Sequence, residues 1–446
     1  MTKGNQQQNF GMRLLVGSAT LVLAVVAAAA MLGSRSVGAA PQSAPTVKLR
    51  TLYQFQGASS GDGAVPGAGV IVDEQGNLYG TTEYGGTATC DTGSLAGCGT
   101  MFKVDPTGKE TFVFSFDGTN GFYPQGSLIK DASGNLYGTT ADGGGNGFPD
   151  GPGNVFKIDK KGQETVLYAF TGYPDDGSAP GAGVTFDADG NLYGTTSEGG
   201  ANCGSCGTVF EVDRAGKETV LYTFTDGASG HSPTSRLIRD AQGNLYGTTL
   251  RGAGAGDCGT VFKLDTVGNL TVLHTFEGNP DGCNPSRGVI PDAAGNLYGT
   301  TDNGGSSPEC SHGCGVVYKL DPTGKETILH MFTPGGEDED GSTPYAPPTL
   351  GRDGNLYGTT FEGGGSSNCS PAYNGCGTVY KIGKNGNETI LYHFTGGADG
   401  AIPLGWLVPD GKGHVFGTAS AGGNTSECSG NHNRASGCGT VFEITP

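Results

Sequence analysis

The sequence predicts an all-β fold, a seven-bladed β-propeller of four-stranded blades, and three observations carry that prediction. The string GNLYGTT stands at 76–82, 134–140, 190–196, 243–249, 295–301 and 354–360, with a worn copy, GHVFGTA, at 413–419. Three other strings recur at the same step of 52 to 59 residues, so one supersecondary unit is repeated along the chain. The two ends of the chain then supply complementary parts of a single unit.

Each unit opens on a Pro-led segment: PGAGVIVD from Pro66, PQGSLIKD from Pro124, PGAGVTFD from Pro180 and PTSRLIRD from Pro233. The series continues with PSRGVIPD from Pro285, PYAPPTLG from Pro344 and PLGWLVPD from Pro403. This Pro/Gly/Ala-rich segment suits the crowded position nearest the ring axis. GNLYGTT is the second strand. A third, of the type GTVFKID, begins at Gly99, Gly153, Gly207, Gly259, Gly315, Gly377 and Gly439. The fourth, ETVLYxF, ends at Phe116, Phe170, Phe224, Phe276, Phe332 and Phe394. All are short, rich in β-branched and aromatic residues, and bounded by Gly, Asp or Pro, which are strand signals. The first and third connections, D-x-x-G-N and D-x-x-G-K-E, are tight turns in which Asp bonds back to the backbone.

The last unit stops after its third strand, and an isolated fourth-type strand, TVKLRTLYQF, ends at Phe55 near the N-terminus. A solenoid would need polar capping repeats at its ends. A ring instead lets Val47–Phe55 close the blade that holds Pro403–Ile444, so residues 41–446 are expected to form one propeller domain. Seven whole blades beginning at Val47 also fit the period, and the first phase is preferred because it puts the Pro/Gly/Ala-rich strand at the axis.

With GTVFK and ETVLYxF following it, the GNLYGTT repeat resembles the GloVer tandem repeat of bacterial exported proteins with varied C-terminal anchors. The likeness runs from Pro45 onward, and it implies an extracellular location without implying an activity. The chain departs from that pattern by ending at Pro446, directly after the last strand. The D-x-x-G-N-L-Y element is also similar to that of NHL and lactonase-type propellers.

Residues 1–40 read as an export signal: Arg13, an apolar stretch from Leu14 to Leu32, then small residues to Ala40. The apolar run is long, so an uncleaved membrane anchor is the alternative. A secreted or cell-surface location makes the twelve cysteines disulfides. The pairs expected are Cys90–Cys98, Cys203–Cys206, Cys310–Cys314, Cys369–Cys376 and Cys428–Cys438, each within one loop. Cys258 and Cys283 are left to pair across a link. A formal charge of −18 argues against nucleic acid as a partner.

In a meander the tight turns share one face of the ring, while the long loops and blade links share the other, where binding residues usually sit. Before each inner strand stands [D/N/S]-G-x-x-P, led by Asp62, Asn120, Asp176, Ser229, Asp281, Asp340 and Asp399. A role in the turn is the first reading. The second is an acidic ring in which Asp62, Asp176, Asp281, Asp340 and Asp399 hold a cation such as Ca2+ at the channel mouth. Departures from the internal consensus mark the candidate ligand site: His231, Arg236, Arg287, Tyr345 and Trp406. Arginine beside Trp or Tyr suits a carboxylated sugar, held by charge and stacking. His274 and His330 replace a fourth-strand Tyr, and His414 replaces the turn Asn, so these three read as packed strand and turn residues.

No H-E-x-x-H, G-x-S-x-G, Walker-type or EF-hand string occurs. The functional expectation is therefore a monomeric extracellular binding or scaffold module, for a glycan or a protein, with no cofactor beyond a Ca2+ ion. The alternative is a glycan-active propeller enzyme, a lyase or lactonase.

Overall fold

The computed structural model describes residues 47–445, except 91–94, 146–150, 202, 255, 308–309, 334–339, 370–374, 427 and 429–435. Residues 1–40, read as an export signal, lie outside them. The described residues belong to the compact unit Pro45–Pro446. Among them no helix is long and apolar enough to cross a membrane.

Seven four-stranded antiparallel sheets form the blades. Blade 1 runs Ile71–Val72, Leu78–Thr82, Thr100–Val104 and Glu110–Ser115 from axis to rim, and blades 2 to 6 repeat it. Blade 7 contains Val408–Pro409, Val415–Ala419 and Thr440–Thr445, with Lys48–Gln54 paired antiparallel along Thr440–Thr445 as its outer strand. The ring is thus closed by the N-terminal strand, as the complementary ends require.

The repeat letters each have a physical task. In GNLYGTT of blade 1, Asn77 Nδ2 and the Tyr79 hydroxyl both donate to Asp73 Oδ2, at 2.9 and 3.1 Å, pinning the first turn. Leu78 is buried in the core. Gly80 is bare because a Cβ there would meet the Phe102 ring at 2.5 Å. The first Thr of the pair reaches the next blade: Thr195 Oγ1 donates to the Ser235 carbonyl at 2.9 Å, and Thr418 Oγ1 to the Ala68 carbonyl at 2.7 Å. The second Thr pairs with the Thr of GTVFK, as in Thr82–Thr100 at 2.7 Å. His414 repeats the turn bond of the worn copy, with Nδ1 2.8 Å from Asp410 Oδ2.

The core lies between blades. The closing Phe of each fourth strand packs edge-on against the third-strand aromatic of the next blade, as in Phe224–Phe262 at 5.3 Å. Phe55 does the same to Phe102 at 4.9 Å, so the closure seam is packed like the others. Both members of such pairs are fully buried.

Two features differ from the sequence reading. The Pro-led segments form inner strands only over two or three residues near their ends, because Pro cannot donate to a ladder and the residues after it carry the blade link. Each fourth strand also carries a bulge opposite the third, such as the register shift between Val209 and Phe210. The extra residue adds local twist to the outer pair.

All six expected disulfides form, and no cysteine is free. Cys258–Cys283 joins a blade-4 loop to the link entering blade 5, where the Asn284 N–H also donates to the Cys258 carbonyl at 2.9 Å.

Candidate functional site

At the axis the seven Pro-led segments meet with almost no space between them. A Cβ on Gly126 would sit 2.5 Å from the Gly183 nitrogen, and one on Gly405 would sit 2.5 Å from the Gly69 nitrogen. The gap enclosed there by all seven blades is about 20 Å3, room for about one water molecule. Trp406 contributes to this plug by lying over Gly69, where a Cβ would meet its Cδ1 at 2.3 Å. The Arg236 guanidinium in turn lies 5.0 Å from the centre of the Trp406 ring.

Beyond the plug the inner strands diverge into a cavity of about 510 Å3, lined by the strand ends that lead into the tight turns. Its walls are Val70, Ile71, Ile238, Val289, Ile290, Pro347, Leu407 and Val408, with Trp406 at its base. Three cations, Arg236, Arg239 and Arg287, line it, and no carboxylate does. Burial pushes the Arg236 guanidinium down to about 10, which leaves it charged at neutral pH. Among the described residues no carboxylate stands within ion-pair distance of it.

Two grooves continue outward over the turns. The first, about 720 Å3, shares Ile71 and Arg236 with the cavity, and the second, about 660 Å3, shares Lys130 and Phe186 with the first. Their charges cancel nearly throughout. The first sets Lys130 and Arg236 against Asp73, Glu74 and Asp131, and the second sets Lys130, Lys157 and Arg214 against Asp131, Asp187 and Asp213. The central cavity therefore carries more positive charge than either groove.

On the loop side of the plug Arg287 joins a second cluster. Its guanidinium lies 4.6 Å from the Tyr345 ring centre. Burial lowers its proton affinity, but Tyr345 and the charges of Glu83 and Asp302 outweigh that, so its pKa is raised. Asp302 accepts a 2.6 Å bond from Ser286 Oγ. Burial pushes its carboxyl up to about 7, against the opposing effects of Ser286 and Arg287.

Four of the five residues that depart from consensus thus meet around the axis: Arg236 and Trp406 in contact, Arg287 beside them, and Tyr345 on Arg287. His231 does not join them. It pairs with Arg251 in the fourth link, and its Nδ1 lies 3.6 Å from Asp226 Oδ1. The cavity also opens at the turn end of the inner strands, whereas the sequence places it on the loop face. The cause is the glycines and alanines that follow several of the prolines, such as Gly69, Gly126, Gly183 and Gly405, which let the backbones touch at the loop end. The β-branched residues that follow hold the strands apart.

The acidic residues do not gather around the channel. Asp62 accepts the Tyr53 hydroxyl at 2.8 Å and the Gln56 and Gly63 N–H groups at 2.7 and 2.6 Å. Asp176 and Asp399 likewise take Tyr168 and Tyr392 of the outer strands, and Asp340 faces His330. These carboxylates work within their own links, near the rim. A Ca2+ ion requires six to eight oxygens, and among the described residues only Asp281 belongs to a group of three candidate metal ligands.

Three residues were not singled out from the sequence. Arg239 stands where sibling inner strands have Val72, Lys130 or Phe186, and Glu83 and Asp302 follow GTT where siblings have Ala141 or Ser197. The same comparison of units, extended to these columns, exposes them.

Among solved structures, a fungal alcohol oxidase of the AA5 family in complex with copper shares 14% identity over 90% of this chain and 76% of its own, with a TM-score of 0.54. A gluconolactonase from Xanthomonas campestris matches at 11% identity, 90% and 89% coverage and a TM-score of 0.43. The extracellular domain of a putative one-component system from B. thetaiotaomicron matches at 9% identity, 87% and 39% coverage and a TM-score of 0.48. At these identities the likeness to the oxidase is one of fold alone. No curated protein matches the sequence. The Gloeobacter/Verrucomicrobia repeat matches residues 32–205 and 146–372, well over half of the chain. The strings that build these blades therefore make the protein a member of the Gloeobacter/Verrucomicrobia repeat family.

Proposed function

We propose that this protein is an exported, non-catalytic binding propeller whose central cavity takes a small anionic ligand with a ring-shaped or apolar body. A carboxylated monosaccharide or short acidic glycan is the class that fits. The carrying observation is a cavity with three arginines and no carboxylate in a chain of formal charge −18. Arg236 offers an uncommitted fork for a carboxylate, and Trp406 beside it offers a face for stacking. Because charge is balanced in the outer grooves, a long polyanion gains little from extending into them. Six disulfides accord with an oxidising compartment outside the cytosol.

Calorimetric titration with glucuronate and galacturonate, beside neutral glucose and galactose, tests the reading. The acids bind and the neutral sugars do not. A hydrogen bond to a charged group contributes roughly 1.5–3 kcal/mol, so Arg236→Ala weakens binding by about 10- to 150-fold. Arg50→Ala, at the rim beside Glu443, leaves it unchanged. Equal affinity for acid and neutral sugar overturns the proposal.

The Arg287–Tyr345–Asp302 cluster favours a second reading, a glycan-active lyase or lactonase. It predicts turnover of acidic oligosaccharides or sugar lactones that Tyr345→Phe abolishes without loss of binding.

A further inference from the structure

Several seams between blades bring together a polar group from an outer strand, one from the link and a glutamate from the next outer strand, as Tyr53, Asp62 and Glu110 do. Where the first is tyrosine and the second aspartate, the hydroxyl donates to the carboxylate, as in Tyr53–Asp62 and Tyr168–Asp176 at 2.8 and 2.9 Å. The seam between blades 4 and 5 replaces that donor by the imidazole of His274, facing Asp281 and Glu326.

The three ligand atoms lie within 4.8 Å of one another. His274 Nε2 is 3.3 Å from Asp281 Oδ1 and 3.9 Å from Glu326 Oε1. Both His274 Nε2 and Glu326 Oε1 are buried without a hydrogen-bond partner. The geometry is held from behind. The Glu277 N–H donates to the other Asp281 oxygen at 2.8 Å, and Phe276 meets the imidazole edge-on at 4.7 Å. The side chains keep 12 to 21% of their surface exposed, which places the group near the surface, where water can complete an ion's shell.

The geometry points to a divalent transition-metal site at His274, Asp281 and Glu326, taking an ion of the Zn2+ class with its remaining positions open to water. Zinc bonds to nitrogen and oxygen of about 2.0–2.2 Å at tetrahedral angles place neighbouring ligand atoms ~3.4 Å apart. The His274–Asp281 spacing already meets that value, and a shift of about half an ångström brings the His274–Glu326 spacing to it. One imidazole with two carboxylates suits Zn2+, Co2+ or Mn2+ better than Ca2+, which prefers an all-oxygen cage. The sibling seam at His330 lacks the same opening, because its Nε2 is hydrogen-bonded to Asp340 Oδ2 at 3.1 Å.

The repeat itself provides substitutions that the fold accepts: His274→Tyr restores the consensus residue, and Glu326→Leu copies Leu270 of blade 4. The chelator-treated protein is titrated with Zn2+ by calorimetry and with Co2+ by visible absorption. Binding of a single equivalent is expected, with the ligand-field bands of a low-coordinate Co2+ site. Loss of a direct ligand weakens binding at least ~100-fold in His274→Tyr and in Glu326→Leu, while the metal-free melting temperature of each is retained. His330→Tyr binds like the parent protein. Absence of saturable binding, or binding that survives His274→Tyr or is lost in His330→Tyr, overturns the site.

Discussion

Glu110, Glu164 and Glu218 open the outer strands of the first three blades, and their carboxyls are pushed up to about 7. Burial is the main cause, and the nearby charges of Asp62, Asp117 and Asp176 add to it. The turn aspartates behave oppositely. Burial raises Asp73, but hydrogen bonds from Asn77 and Tyr79 and the charge of Lys130 outweigh it and hold its carboxyl low. A raised carboxyl binds its proton more tightly in the folded chain. Its stability contribution is complete below the unfolded value of about 4.3 and disappears as pH rises through 7. A depressed carboxyl contributes above its unfolded value and loses that contribution as pH falls. The protein should therefore melt highest in mildly acidic buffer, roughly pH 4.5–5.5. Glu164→Gln should raise the melting temperature at pH 8 and barely change it at pH 5. An equal change at both values would show that Glu164 does not titrate in this window.

The links between blades hold their geometry against a local cost. All seven residues before the link prolines have positive φ, from Val65 at 60° to Ile402 at 59°. Side chains other than glycine adopt that region rarely. Each is held by two backbone bonds. For Ala179 these are N–H to the Pro152 carbonyl at 2.9 Å, and its own carbonyl from the Ser197 N–H at 3.2 Å. Glycine is free of the strain that alanine bears there. Ala179→Gly should therefore be neutral or stabilising by up to about 1 kcal/mol in urea unfolding, where the same change in an ordinary strand costs stability. A loss greater than that amount would mean the link is unstrained. At the next link but one, Cys258–Cys283 reinforces these bonds covalently. Replacing both cysteines by serine should cost on the order of 3 kcal/mol, read from the shift in the urea midpoint.

Across the whole molecule the ring makes equivalent positions energetically equivalent, including those that join the chain ends. Phe55 is fully buried against Phe102, as Phe224 is against Phe262. Phe55→Ala and Phe224→Ala should each cost about 3–5 kcal/mol, despite the position of Phe55 near one end of the chain. A markedly smaller loss for Phe55→Ala would show that the closing seam is looser than the rest. Deleting residues 41–56 should leave Thr440–Thr445 as a bare strand edge and cause aggregation, visible by light scattering.

The number of blades, the order of strands, the closing partner of Val47–Phe55 and the Cys258–Cys283 pair were all legible in the sequence. Blade number and strand order rest on a periodicity that repeats seven times, the closing partner on the complementary ends of the chain, and the Cys258–Cys283 pair on the two cysteines left over on one face. Arg236, Arg287, Tyr345 and Trp406 were legible as departures from the consensus, and their meeting at the axis follows from their places at the start of the Pro-led segments, Arg236 and Trp406 at one position and Arg287 and Tyr345 just before it. Which end of the channel stays open was not legible. It depends on how closely seven backbones approach, which leaves contact at Gly126 and Gly183 and open space between Ile71 and Ile238. The metal-ligand group was not legible either, because His274, Asp281 and Glu326 come from two blades and the link between them. The sequence by itself determined the repeating architecture, since each unit carries its own turns and strands. The tertiary structure alone decided where space and unpaired polar atoms remain, because both arise from packing one unit against the next.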